Sequence, residues 1–147
     1  MREQPSHQEL LSRSALTAFR LNGQFLALAE ELARPAGLTA TRWQVLGAVL
    51  ERPLTVSDIA RAMGITRQSV QRTADILAAD GLIAYRDNPA HVRAKLVAPT
   101  DAGIAAVRRI NPQHSAAADA LAERLGEQRW QAALEALEAL SAALTAP

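Results

Sequence analysis

From Val56 to Ile83 the chain reads V-S-D-I-A-R-A-M-G-I-T-R-Q-S-V-Q-R-T-A-D-I-L-A-A-D-G-L-I, and no other stretch constrains the architecture as tightly. Val56, Ile59, Ala60 and Met63 place an apolar stripe on a first short helix. Gly64 supplies the left-handed or open backbone that a sharp interhelical turn demands and a β-carbon resists. Ile65 is expected to follow as a buried plug, with Thr66 as N-cap of a second helix. That helix buries Val70, Thr73, Ala74 and Leu77, at steps of three and four. Its other face carries Arg67, Gln68, Ser69, Gln71 and Arg72. Arginine can donate twice to guanine O6 and N7, glutamine can pair with adenine N6 and N7, and serine or threonine can take either role. These side chains crowd the first two turns, the part of a recognition helix that enters a major groove. An ordinary solvated helix face is also polar, but it mixes signs. Here no Asp or Glu lies between Asp58 and Asp75.

Downstream, Gly81 ends a long helical pattern and fits a helix C-terminus better than a hairpin turn. Leu82–Arg86 then reads as a strand, Asp87–Val92 as a turn-rich tip and Arg93–Ala98 as a returning strand. Alternation puts Leu96 and Ala98 on one face, Lys95 and Val97 on the other. A short hairpin bearing Arg86, Arg93 and Lys95 suits a wing lying along a nucleic-acid backbone, with an arginine able to enter the minor groove. The expected fold is mostly α with a small β-hairpin wing: a winged helix-turn-helix flanked by terminal helices.

Those flanks carry more apolar surface than a small reader needs. Leu11, Ala15, Ala18, Asn22, Phe25, Ala29 and Leu32 recur at steps of four and three, a long stripe broken by one polar residue. The helix should end near Arg34, before Pro35, and Thr39 or Thr41 should cap the next one. After the wing, Thr100-Asp101 opens another helix that Asn111-Pro112 should break or kink. Gly126 marks a further boundary, and a last helix carries Trp130, Leu134, Leu137, Leu140 and Leu144. Residues 1–37 and 101–147 are thus expected to serve dimerisation around a reader at 38–100, the whole forming one compact domain.

Composition agrees. The 147 residues are 49% hydrophobic but only 3% aromatic, which favours a helical protein packed by aliphatic side chains. The net charge of +1 does not announce a polyanionic partner, but its distribution does. From Arg61 to Lys95 there are 6 basic and 3 acidic side chains, while the rest of the chain holds 10 and 12, so positive charge collects on the reader. The opening Met1-Arg2-Glu3-Gln4-Pro5 lacks an apolar signal core, and no apolar run has the length of a membrane span. With no cysteine, the expected address is the cytoplasm. There is no glycine-rich phosphate loop, no G-x-S-x-G elbow and no H-E-x-x-H zinc helix. His7, His91 and His114 are widely separated, so no catalytic residue, metal or cofactor is expected.

The ordered series resembles the MarR (multiple antibiotic resistance regulator) family of transcription factors. The resemblance is strongest from Leu38 to Gly103: L-T-A-T-R-W-Q-V-L before the short helix, G-I-T-R-Q-S-V-Q-R, D-G-L-I into the wing and A-K-L-V-A-P-T-D-A-G leaving it. It implies a homodimer on double-stranded DNA with a roughly palindromic operator, recognition helices in successive major grooves and wings at flanking minor grooves. It assigns Thr66, Arg67, Gln68, Gln71 and Arg72 to the major groove and Arg93 to the minor groove. A repressor relieved by a small aromatic or phenolic effector is implied, with Phe19, Asn22 and Trp43 as pocket residues. One departure stands out: the family's wing signature is Asp-x-Arg, and the matching positions here are His91-Val92-Arg93. Asp87, across the hairpin, is the candidate replacement acid. The alternative is a winged-helix protein–protein adaptor that keeps the scaffold without reading DNA.

Overall fold

The computed structural model describes residues 3–145. In order, the elements are α1 (His7–Ala33), a 3-10 turn (Arg34–Ala36), α2 (Ala40–Ala48), β1 (Leu54–Thr55), α3 (Val56–Met63) and α4 (Arg67–Ala79). They are followed by β2 (Ile83–Arg86), β3 (Leu96–Pro99), α5 (Asp101–Leu125) and α6 (Glu127–Thr145). The chain divides into two compact units, Met1–Ile110 and Asn111–Pro147.

Local chemistry sets most boundaries in the first unit. Ser6 and Glu9 form a reciprocal capping box that starts α1. Thr39, rather than Thr41, caps α2 by accepting from the Arg42 amide at 3.2 Å. Thr55 does the same for α3, and Gly64 closes that helix at φ 68°. A β-carbon at Gly64 would be strained by this left-handed backbone rather than by its surroundings, since nothing lies within 4 Å of it. Ile65 is not the plug expected from the pattern. It is 38% exposed, because the turn delivers its amide to the Ala60 carbonyl while the side chain remains at the surface. Val70, Thr73, Ala74 and Leu77 of α4 are all buried, as their spacing requires. Val70, Ala74 and Leu77 join Val45, Leu46 and Val49 of α2, Ile59 of α3, Val97 of β3 and Ile110 of α5 in one aliphatic core.

The sheet departs from a simple hairpin. Its order is β1-β3-β2, antiparallel throughout, with Leu54 opposite Val97 and Tyr85 also opposite Val97. The central position of β3 explains why Val97 and Ala98 are both buried where alternation predicts one buried and one exposed residue. β3 also starts later than expected. Arg93, Ala94 and Lys95 lie outside the strand, in a loop turned by hydrogen bonds from His91 N to Asn88 O (3.1 Å) and Ala94 N to His91 O (3.3 Å).

The start of α5 meets the base of the wing at Gly103. A β-carbon there would sit 2.1 Å from the Leu82 carbonyl oxygen, so only glycine permits the approach. α5 runs through Pro112 without the expected interruption. Proline removes one amide donor, but Arg108 and Pro112 are both exposed, so water can satisfy the carbonyl left without a partner.

In the second unit, Gly126 at φ 90° separates α5 from α6. No residue of α6 is buried, and Leu134, Leu137, Leu140 and Leu144 are 40–78% exposed. In the first unit α1 buries only Ala33 and exposes Leu11, Leu16, Phe19 and Phe25. Among the described residues, no helix is long and apolar enough to cross a membrane.

Candidate nucleic-acid interface

Burial of one face of α4 dictates what the other presents. With Val70, Thr73, Ala74 and Leu77 turned into the core, Arg67, Gln68, Ser69, Gln71 and Arg72 are all exposed. Thr66 holds the first turn, its hydroxyl accepting from the Ser69 amide at 3.1 Å. The uncapped amides of this turn add a partial positive charge to that end of the helix.

The fold brings α4 alongside the wing. An open concavity of about 550 Å³ is lined by Arg67, Gln68 and Gln71 of α4 and by Arg93 and Lys95 of the wing loop, with Thr55, Ser57 and Tyr85 among its other walls. Three cations and no carboxylate line it, an arrangement that attracts an anion. Arg67 Nη1 reaches Ser57 Oγ at 3.5 Å, which draws the guanidinium toward the N-terminal turn of α3. Thr66, Ser69, Arg72 and Arg86 lie outside this lining. Arg72 is exposed on α4, and Arg86 is exposed at the end of β2, opposite Leu96.

Two wing residues stand differently from expectation. Arg93 and Lys95 reach the concavity from a loop rather than from a strand. Among the described residues no ion pair joins Asp87 to Arg93, so Asp87 does not replace the missing wing acid in this conformation. The carboxylate near this face that does engage is Asp75. Its Oδ1 accepts from the Tyr85 hydroxyl at 2.5 Å and from Gln71 Nε2 at 3.0 Å, and Gln71 Nε2 also donates to the Tyr85 oxygen at 3.0 Å. Burial first, and then the hydrogen bond and negative charge of Asp75, push the Tyr85 hydroxyl up to about 12. The four-residue spacing of Gln71 and Asp75 is readable in the chain. Tyr85 carries no such local signal, because its partners come from another element.

Phe19 and Asn22 are exposed on α1, Phe19 to 71%, whereas Trp43 packs against the core from α2. A second, shallower concavity beside Arg67 is lined by Ser57, Ala60, Arg61, Gly64 and Ile65, so neither depression holds these three residues. Among the described residues no group of three or more His, Asp or Glu is arranged to hold a metal ion.

A family model described as MarR family matches residues 36–94, which span the end of the 3-10 turn through the wing loop. The uncharacterized protein Rv2011c of Mycobacterium tuberculosis is 34% identical over 136 residues, covering 92% of this chain and 95% of that protein. Among solved structures, a MarR-family transcriptional regulator from Rhodococcus sp. RHA1 aligns with a TM-score of 0.78 at 21% identity, over 90% of this chain and 95% of its own. The M. tuberculosis regulator MosR in complex with DNA aligns at 0.72 and 22% identity, over 90% and 98%. CouR from Rhodococcus jostii RHA1, bound to p-coumaroyl-CoA, aligns at 0.74 and 20%, over 86% and 89%.

Proposed function

We propose that this chain, a member of the MarR family of winged helix-turn-helix regulators by its match over residues 36–94, is a DNA-binding homodimeric repressor whose two reader segments, residues 38–100 of each copy, occupy a roughly palindromic operator. The observation that carries this reading is the acid-free concavity shared by Arg67, Gln68 and Gln71 with Arg93 and Lys95. In this reading the Thr66–Arg72 segment enters the major groove, where Arg67, Gln68, Ser69, Gln71 and Arg72 face base edges and phosphates. Arg93, Lys95 and Arg86 follow the backbone toward the minor groove. Repression is steric: a dimer seated on two half-sites about one helical turn apart excludes polymerase.

The dimer is supported by the apolar faces of α1 and α6, which a lone chain leaves in water. Residues 1–37 and 101–147 are its dimerisation segments in this scheme. Phe19 and Asn22, exposed in one chain, would gain cover from the partner and could then line an effector pocket with Trp43. CouR binds an aromatic acyl-CoA. An aromatic or phenolic effector is the corresponding proposal here, and the cytoplasm is the place where such a regulator works.

Fluorescence anisotropy on duplex from upstream of the chain's own coding region, against a scrambled duplex at two salt concentrations, tests the reading. Tighter, salt-dependent binding to the native duplex is expected. Failure to bind any duplex at low salt would overturn it in favour of a protein–protein adaptor on the same scaffold.

A further inference from the structure

We infer that Tyr85 and Asp75 are positioning residues for base reading: they hold the Gln71 amide in one orientation before DNA arrives, so that a wing residue sets how sharply the recognition helix discriminates at one base pair. The inference rests on α4 being the DNA-reading helix.

Gln71 Nε2, Asp75 Oδ1 and the Tyr85 oxygen form a closed triangle with sides of 3.0, 3.0 and 2.5 Å. The Tyr85 hydroxyl donates along the short side, to Asp75. A carboxylate has no proton to give, so the group that Gln71 turns toward it is the NH2. The two oxygens are so close together that they occupy one narrow sector as seen from the nitrogen, and a single N–H is shared between them. The other N–H and Oε1 stay free, which leaves Gln71 both a donor and an acceptor for a base edge. Turning the amide over would set its carbonyl against the carboxylate and against the phenol lone pairs. The phenol proton that closes the triangle stays in place throughout the neutral range, because Tyr85 holds it to about 12.

An unanchored glutamine on an exposed helix face samples several rotamers and both amide orientations, and binding must then freeze one of them. Here folding has already done so. Asp75 lies one turn along α4 from Gln71. Tyr85 comes from β2, where it stands opposite Val97 and packs against the core, so the amide is tied to a rigid part of the molecule. Gln71 and Tyr85 both line the concavity and Asp75 does not. The wing therefore contributes to base discrimination through Gln71, apart from the cations it brings to the phosphates.

Selection from a random duplex library with the full wild-type chain yields the operator. Fluorescence anisotropy then measures affinity for it and for its single-base-pair variants. Wild type, Gln71→Ala, Tyr85→Phe, Gln71→Ala/Tyr85→Phe and the Asp75→Ala/Tyr85→Phe pair are compared. Thermal unfolding identifies the folded variants, and Tyr85→Phe, which keeps the ring that packs on the core, is decisive by itself. The column whose base preference Gln71→Ala flattens is the one Gln71 reads. Preference there should fall about threefold in Tyr85→Phe, where Asp75 still holds the amide, and about tenfold in the pair, as expected when an ordered side chain is set loose. Preference is a ratio between duplexes, so the lost Asp75 charge, which acts on all of them alike, cancels. Other columns should be unchanged, and in the Gln71→Ala background Tyr85→Phe should leave operator affinity as it was. A merely structural role for Tyr85, or a direct contact of the phenol with DNA, would lower operator affinity in both backgrounds, which overturns the inference alone. So does an unchanged preference at that column in Tyr85→Phe, or a Gln71→Ala variant that flattens no column. A wild-type pool with no enriched motif overturns the DNA-reading function and the inference with it.

Discussion

Arg67 and Arg93 face the same concavity from different elements, and they should fail differently when truncated. Arg67→Ala should reduce discrimination between operator and random duplex by about 1–3 kcal/mol if the guanidinium reads a base. Arg93→Ala should weaken binding to all sequences and lower the slope of log affinity against log salt by about one, as one lost phosphate contact would. Competition titrations at three salt concentrations separate the two patterns. Tyr85 makes a third residue-scale case, and it is the one tyrosine of the chain, so a phenolate absorbance titration reads it without deconvolution. Its midpoint should lie near 12 rather than the ordinary 10.0, and Asp75→Asn should bring it down by removing the negative charge beside it. An unfolded tyrosine ionises near 10.0 while the folded one holds its proton to about 12. Its contribution to stability is therefore whole below pH 10 and is lost as the pH rises from there toward 12. Of this cluster only the Gln71–Asp75 spacing was visible in the chain. Tyr85 comes from β2, fourteen residues further on, and strand pairing alone brings it there.

Elements built from near neighbours were legible; those that depend on distant pairing were not. α3, its glycine turn and α4 follow from apolar steps of three and four and from threonine caps, all of which act within one or two turns. β1 is two residues long and exists only because Leu54 and Thr55 find Val97 and Leu96, more than forty positions away. No local pattern could announce it. Its presence makes β3 a central strand, and that is why the expected alternation at Val97 and Ala98 fails. Ile65 misled for a related reason: an apolar residue after a glycine turn has no fixed destination until the neighbouring helix is placed. Gly103 supplies the element-scale prediction. Gly103→Ala would drive a methyl to 2.1 Å from the Leu82 carbonyl oxygen, and both sides of the contact are backbone that cannot rotate away. A loss of about 1–3 kcal/mol or more is expected, read as a lower urea midpoint with an unchanged slope.

At the scale of the whole molecule, the terminal helices dominate the exposed apolar surface. Leu134, Leu137, Leu140 and Leu144 of α6 lie 40–78% open, and Phe19 and Leu16 of α1 lie 71% and 67% open. Each leucine fully covered by a partner contributes roughly 1.5–3 kcal/mol, so a handful suffices to hold a dimer. On the proposed dimer, wild type should sediment as two copies and Leu137→Glu with Leu140→Glu as one. Operator affinity should fall by roughly a hundredfold as the avidity of two linked half-sites is lost. Retention of both properties would place the dimer contact elsewhere. Within the first unit, a different kind of connection has its own consequence. The Thr100 amide donates to Leu82 O at 3.1 Å, its hydroxyl donates to Gly81 O at 2.6 Å, and the same hydroxyl accepts from the Gly103 amide at 3.1 Å. The end of α4, the exit of the wing and the first turn of α5 are tied together by the amide and hydroxyl of one threonine. The first turn of α5 and Gly81, just past the end of α4, are thus two hydrogen bonds apart, joined through Thr100 rather than through the packed side chains of the core.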